Sequence, residues 1–160
     1  MQGSMEKPFG KTLYAGWGDI DFNNHMTNAA YLSKSVDVRM MYFTESGFGA
    51  DGFKRAGVGP VIMKDEIRYL KEFYLLEYFL VTLELSGLAD DGSRFMFRNC
   101  FYKEDGQLAA IVDTTGGWLD LRARKLTVPS EELLDVVNGL TRTDDFAVVP
   151  SSLKGKQDDS

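Results

Sequence analysis

Apolar positions at Ala29, Leu32, Val36, Met40 and Phe43 recur every three or four residues, the helical period, and predict a helix over residues 26–46. A second row, Tyr31, Val38 and Tyr42, widens the apolar surface, so most of this helix is expected to be enclosed by other structure. Gly47 is a natural stop. Ahead of it, Thr12 and Tyr14 alternate with Leu13, Ala15 and Trp17, which predicts a strand over residues 11–17. Residues 48–59 are glycine-rich and read as a loop with room for one helical turn.

From residue 61 the pattern changes to four strand-like runs, 61–73, 75–88, 94–103 and 108–121. Asp90-Asp91-Gly92 and Glu104-Asp105-Gly106 are hairpin turns between the later runs, and short turns force antiparallel neighbours, so the four are expected to form a meander. Gly116-Gly117 inside the last run marks a bulge or a close backbone approach. Ser130 with Glu131 and Glu132 opens a short surface-packed helix through Leu133, Leu134, Val136 and Val137. Residues 151–160 hold one leucine and no other large apolar group, and are expected to be disordered.

Layer logic gives an α+β domain in which a curved antiparallel sheet of about five strands wraps one long central helix. Such a sheet has open edges, and pairing into a dimer hides them. The domain is expected over residues 10–140, between an N-terminal extension (1–9) and a C-terminal tail (141–160). Met1–Ser4, ahead of a second methionine at Met5, look like a cloning remnant.

Composition narrows the function. At 160 residues and 44% hydrophobic the chain supports one core. A net charge of -6 argues against a nucleic-acid binder, because phosphate neutralisation needs a basic face. One cysteine, Cys100, and one histidine, His25, exclude a disulfide framework and a Cys/His zinc site within one chain, so no metal or bound cofactor is implied. No apolar run approaches the roughly 20 residues that span a bilayer, and a cytoplasmic protein without membrane insertion is expected.

Residues 17–31 concentrate polar groups (Asp19, Asp21, Asn23, Asn24, His25, Thr27 and Asn28) at the mouth of the predicted helix. Unpaired polar groups beside a buried helix cost desolvation energy unless they are used, so a site is expected there. Unpaired amides at a helix start offer an oxyanion site, with donors expected around Thr27 and Asn28. Aspartate also serves loops as a turn and cap residue, and Asp19 is assigned that role, as is Asn24 in the turn.

The run Trp17-Gly18-Asp19-Ile20-Asp21, then His25-Met26-Thr27-Asn28-Ala29-Ala30-Tyr31, resembles the hotdog-fold thioesterases, both the 4-hydroxybenzoyl-CoA thioesterase-like group and the plant acyl-acyl-carrier-protein thioesterases. Glu66-Ile67-Arg68-Tyr69-Leu70, Asp105-Gly106-Gln107-Leu108-Ala109 and Leu119-Asp120-Leu121-Arg122 support the resemblance, which spans residues 12–137. It implies a hotdog fold and a homodimer or homotetramer. It also implies hydrolysis of an acyl-CoA or acyl-carrier-protein thioester, with Asp21 as base or nucleophile, Asn23 and His25 beside it, and Thr27, Asn28 and Tyr31 against the substrate. Departures are Thr27 for an asparagine, Glu72 where a proline is usual, and Leu76-Glu77 in place of a Gly-Asp turn.

Phe73, Tyr74, Tyr78, Phe79 and Tyr42 are candidate walls of an acyl slot, although buried aromatics are more often plain core. Lys54, Arg55, Arg122, Arg124 and Lys125 are candidates for the CoA phosphates, or a solvated face. Cys100 reads as a small buried residue, and no Gly-x-Ser-x-Gly elbow occurs. The competing readings are an enoyl-thioester hydratase of the same fold and a non-catalytic acyl-thioester binding module.

Overall fold

A computed structural model describes residues 7–153. The chain runs β1 (Phe9–Tyr14), a 3-10 turn (Trp17–Asp19), α1 (Asn28–Glu45), α2 (Ala50–Ala56), β2 (Val58–Tyr69), β3 (Tyr78–Ala89), β4 (Arg94–Lys103), β5 (Leu108–Asp120), β6 (Lys125–Thr127), α3 (Glu131–Asn138) and β7 (Arg142–Val149).

The sheet has seven strands rather than about five, with a central path β1-β3-β4-β5-β2. The two additional strands, β6 and β7, lie off that path. β6 pairs with β5 from Trp118 onward, where β4 has run out at the Arg94–Gly117 pair. β7 pairs with β3 from Leu85 onward, beyond the last β1 pair at Phe9–Leu83, and is parallel to it. β7 lies within the expected C-terminal tail, and β1 takes up the last residue of the expected N-terminal extension. Further on, the Ser151 hydroxyl donates to Asp91 (2.7 Å) and Ser152 N–H donates to Ser93 Oγ (2.8 Å), so these two residues are anchored where disorder was expected; 154–160 lie outside the described residues.

The four-run meander is corrected to three. β3, β4 and β5 follow one another through the two predicted turns, where Gly92 and Gly106 take the positive φ those turns require. β2 instead pairs with β5 at the far edge. The cause lies in residues 70–77, which carry no tight-turn pair. Leu70 and Lys71 N–H both donate to Ala109 O, and then Phe73 enters the core with no exposed surface. The chain thus crosses from β2 at one edge of the sheet, past β5 and β4, to β3, which lies one strand in from the other edge.

α1 begins where Thr27 Oγ1 accepts Ala30 N–H (3.2 Å) and ends before Gly47, whose φ is +84°. Its buried face is Ala30, Tyr31, Ser35, Val38, Arg39 and Phe43, while Ala29 and Val36 of the predicted stripe are exposed in the single chain. Polarity misled the pattern at two positions. The Ser35 hydroxyl donates to Tyr31 O (2.9 Å), a bond that lets it be buried.

Arg39 is the second. It is 6% exposed, its Nη2 donates to Thr114 Oγ1 (3.2 Å), and Thr114 in turn donates to Asp65 (2.5 Å). Its Nε has no hydrogen-bond partner among the described residues. Burial lowers its pKa, opposed by the charge of Asp65. Replacing a buried ion pair by hydrophobic residues is often neutral or stabilising by about 1–4 kcal/mol, and because Asp65 is exposed, removing Arg39 leaves no buried charge behind. Arg39→Met is therefore expected to leave the urea midpoint unchanged or raise it. A loss above about 2 kcal/mol would mean that the guanidinium has compensation beyond Thr114 and Asp65.

Gly116 is a close backbone approach: an added Cβ would lie 2.5 Å from Val61 O and from the Phe95 ring. The bulge falls opposite it on β2, where Met63 is the extra residue between Ile62 and Lys64. α2 is longer than the single turn expected, and α3 follows its predicted cap, with Ser130 Oγ accepting Leu133 N–H (3.2 Å) and Leu133 and Val137 buried.

Candidate active site

After β1 the chain turns instead of continuing to Trp17. Ala15 pairs with the 70–77 crossover, accepting Leu76 N–H (2.7 Å) and donating to Glu77 O (3.1 Å). Asp19 Oδ2 accepts Gly16 N–H (2.8 Å) and meets Lys34 Nζ (3.0 Å) of α1, and its carbonyl accepts Thr27 N–H (2.8 Å). Asp19 therefore ties the turn to the helix, the loop-holding role expected of it.

Burial acts to raise the Asp19 pKa and is the largest single influence, but the Gly16 N–H and the Lys34 hydrogen bond and charge together hold the carboxyl below the ordinary aspartate value. A depressed carboxyl adds stability that is present above its unfolded value, about 3.9, and is lost as pH falls through the folded one. The Tm of Asp19→Asn is accordingly expected to fall below that of the unsubstituted protein at pH 5–7, and the two to converge on acidification towards pH 2. A gap that persists at pH 2 would contradict this.

The next residues form a compact loop closed by an antiparallel bridge between Ile20 and Met26. Asp21 organises it. Its Oδ1 accepts Asn23 N–H (2.9 Å) and His25 N–H (3.1 Å), its N–H donates to His25 O (2.9 Å), and its carbonyl accepts Asn24 N–H (3.0 Å). Asn24 sits at φ +63°, which asparagine tolerates. Asp21 Oδ1 is thus a turn acceptor, while Oδ2 accepts no hydrogen bond among the described residues, and Asp21 lines an open cleft together with Trp17, Ile20, Phe22 and Asn24.

His25 Nδ1 meets Glu72 Oε1 at 2.8 Å, and its ring stands edge-on to Tyr74 at 5.3 Å. Glu72 is the residue sequence reasoning missed as a site member. Its signal in the sequence is the acidic side chain in the place of a usual proline. Met26 is buried and donates its N–H to Phe73 O (2.9 Å), which locks the loop onto the crossover.

The helix start corrects one expected donor. Thr27 N–H is committed to Asp19 and Thr27 Oγ1 to the cap, so the first amides without a partner among the described residues are those of Asn28 and Ala29. The Asn23 and Asn28 side chains are exposed and form no hydrogen bonds there. Tyr31 is 2% exposed, packed against Tyr69, Phe73 and Phe101, and burial together with the charges of Tyr69, Glu72 and Glu77 pushes its phenol up to about 12. Phe73 and Phe79 are plain core, whereas Tyr74 and Tyr78 are exposed.

The five cations do not join this site within one chain. Lys54 and Arg55 end α2, and Arg122, Arg124 and Lys125 follow β5, the two groups being joined by Leu121 N–H on Gly57 O (2.9 Å). They lie at the Asp120 end of β5, whereas the crossover meets the Leu108 end, roughly 40 Å away along an extended strand.

A sheet around one long helix, with a polar loop ahead of that helix, defines a family. The chain belongs to the thioesterase-like superfamily, whose family model it matches over residues 15–137, and has the hotdog fold. Among solved structures it resembles a hypothetical protein from Staphylococcus aureus in complex with CoA, at 20% identity, covering 98% of this chain and 96% of that one, with a TM-score of 0.77. The 1,4-dihydroxy-2-naphthoyl-CoA thioesterase from Synechocystis is 15% identical over 84% of this chain and 98% of its own, with a TM-score of 0.74. A probable thioesterase from Escherichia coli is 20% identical over 83% and 98%, with a TM-score of 0.72. At these identities the likeness is one of fold. Among the described residues no helix is long and apolar enough to cross a membrane.

Proposed function

We propose that this protein is an acyl-CoA thioesterase whose reacting carboxylate is Asp21. One observation carries the reading: Asp21 is held by two backbone amides on Oδ1, keeps Oδ2 without a hydrogen bond among the described residues, and lines an open cleft in the loop that leads into α1, whose Asn28 and Ala29 amides have no partner among the described residues. A thioester carbonyl placed there directs its developing oxyanion at the amides and the positive end of α1, each good donor being worth about 3 kcal/mol. Water adds to the carbonyl carbon as its proton passes to Asp21, and the C–S bond breaks as the thiolate takes up a proton. In the other route Oδ2 attacks the carbon directly, the C–S bond breaks and the departing thiolate takes up a proton, and water then opens the mixed anhydride to give the free acid and the Asp21 carboxylate. Both use the same carboxylate.

Glu72 holds the imidazole of His25 through Nδ1, which leaves Nε2 of the neutral ring as an acceptor for the attacking water. The CoA choice is supported by the solved relative that holds CoA and by the basic cluster at Gly57–Leu121. β2 pairs on one side only, so its outer edge is open to a second copy. A two-fold axis normal to the sheet makes paired β2 strands antiparallel and brings the partner's basic end towards Tyr69 and the site. We accordingly assign a cytoplasmic homodimer, alone or paired into a tetramer, with Lys54, Arg55, Arg122, Arg124 and Lys125 receiving the CoA phosphates.

The test is thiol release from a panel of acyl-CoAs and acyl carrier proteins. Burial, with the charge of Glu84, pushes the Cys100 thiol up, so its background with a thiol reagent is expected to be small. Turnover with at least one acyl-CoA supports the reading. Saturable binding with no thiol release from any substrate would replace it with the binding-module reading.

A further inference from the structure

We propose that Lys103, the last residue of β4, is a positioning residue for His25, clamping the 70–77 crossover so that Glu72 meets the imidazole. This rests on the reading of the Asp21–His25 loop as a hydrolytic site. The Lys103 ammonium donates to the main-chain carbonyl of Glu72 (2.6 Å) and to the Glu77 carboxylate (2.7 Å), and lies 4.7 Å from the centre of the Phe73 ring and 5.9 Å from that of Tyr74. Glu77 passes the tie on, its other oxygen accepting Tyr74 N–H (3.1 Å). Lys103 therefore touches Glu72, Phe73, Tyr74 and Glu77, and two of these, Glu72 and Tyr74, grip the imidazole.

The crossover needs such a tie. Leu76 stands at φ +64°, in the left-handed region that a branched aliphatic side chain disfavours, at the point where a glycine would turn freely. Glu72 is exposed, and two carboxylates with Asp21 close by repel one another unless a cation lies among them. Glu72 and Tyr74 meet the imidazole, Asp21 accepts the His25 N–H, Lys103 bonds to Glu77, and Tyr31 on α1 feels the charges of Tyr69 on β2, Glu72 and Glu77. Lys103 is the cation that bonds to this cluster. Its partners fix which imidazole nitrogen carries the proton, because the hydrogen bond made by one ring nitrogen sets the tautomer of the other.

His25 is the only histidine of the chain, so its imidazole 15N signals are unambiguous. The experiment compares the unsubstituted protein with Lys103→Met, which keeps the length and loses the donors, Lys103→Arg, which keeps the charge and both bonds, and Glu72→Gln. With the ring neutral, the unsubstituted protein is expected to hold the Nδ1–H tautomer predominantly. Lys103→Met is expected to shift it at least twofold towards the Nε2–H form and to lower kcat/KM about tenfold, chiefly through kcat. Lys103→Arg is expected to restore both within about threefold, and Glu72→Gln to reproduce the Lys103→Met tautomer pattern.

A folded Lys103→Met protein with an unchanged tautomer and unchanged kcat/KM would overturn the proposal. Should Lys103→Met fail to fold, Lys103→Gln, which still reaches the Glu72 carbonyl without offsetting the Glu77 charge, is read by the same two measures. A tautomer change in a protein that shows no thioesterase turnover at all would uphold the clamp and sink the hydrolytic reading, so the two failures are distinguishable.

Discussion

Trp118→Ala is expected to remove about 3–5 kcal/mol of folding free energy, the range for deleting a fully buried large aromatic. Trp118 has no exposed surface, and its ring meets Phe95 at 4.9 Å, Phe53 at 6.2 Å and Phe43 at 6.3 Å, joining β5 to β4, α2 and α1. Its indole N–H donates to Gly92 O (3.1 Å), so truncation also leaves a buried carbonyl unpaired in the β3–β4 turn. The backbone at Gly116 and Gly117 has little slack to collapse into the hole, since even an added Cβ there would meet Phe95 and Val61, or Met63 and Ser93. Urea unfolding of Trp118→Ala checks this, and a loss below about 1 kcal/mol would mean that the aromatic cluster repacks freely.

The largest functional effect is expected at Asp21. Removing a general base or nucleophile lowers turnover by about 10²–10⁴-fold. Asn is the informative replacement, because its Oδ1 still accepts the Asn23 and His25 amides that shape the loop while the anionic oxygen is gone. Asp21→Ala removes the turn acceptor as well, and so confounds chemistry with loop geometry. Neither change touches the core, since Asp21 is exposed and the loop is independently held by Met26 on Phe73 and by Asp19 on Thr27.

What was legible in the sequence follows from which physical signals are local. The hairpins at Gly92 and Gly106 and the helix start at Ser130 are set by neighbouring residues, and all stand as expected. The partner of β2 is not local. Its pairing with β5 is decided by the 70–77 crossover, whose course depends on Phe73 burying itself and on Leu76 adopting a glycine-like conformation. The buried face of α1 was misread for a similar reason, because Ser35 bonds to Tyr31 and one Arg39 nitrogen to Thr114 inside the fold, so neither residue marks the exposed side. β7 was hidden because its burial comes in part from other elements, with the Arg98 guanidinium drawing Asp145 to the sheet.

The site divides along the same line. Asp21, Asn23 and His25 are contiguous and were visible as a cluster, and Asp19 was recognisable as the loop holder. Glu72 reaches His25 only through the crossover, and Lys103 reaches Glu72 only from the end of β4, so no spacing along the chain could announce either. Thr27 was expected to lend an amide to the substrate, but capping and the Asp19 carbonyl already occupy it, moving the open donors to Asn28 and Ala29.

The measurement that tests the central claim most directly is thiol release from acyl-CoAs by the unsubstituted protein and by Asp21→Asn, side by side, with matched near-UV circular dichroism. The account predicts turnover by the first and a loss of at least about 10²-fold in kcat by the second, with the loop and the fold unchanged. Undiminished turnover by a folded Asp21→Asn protein would contradict it and move the chemistry away from this carboxylate.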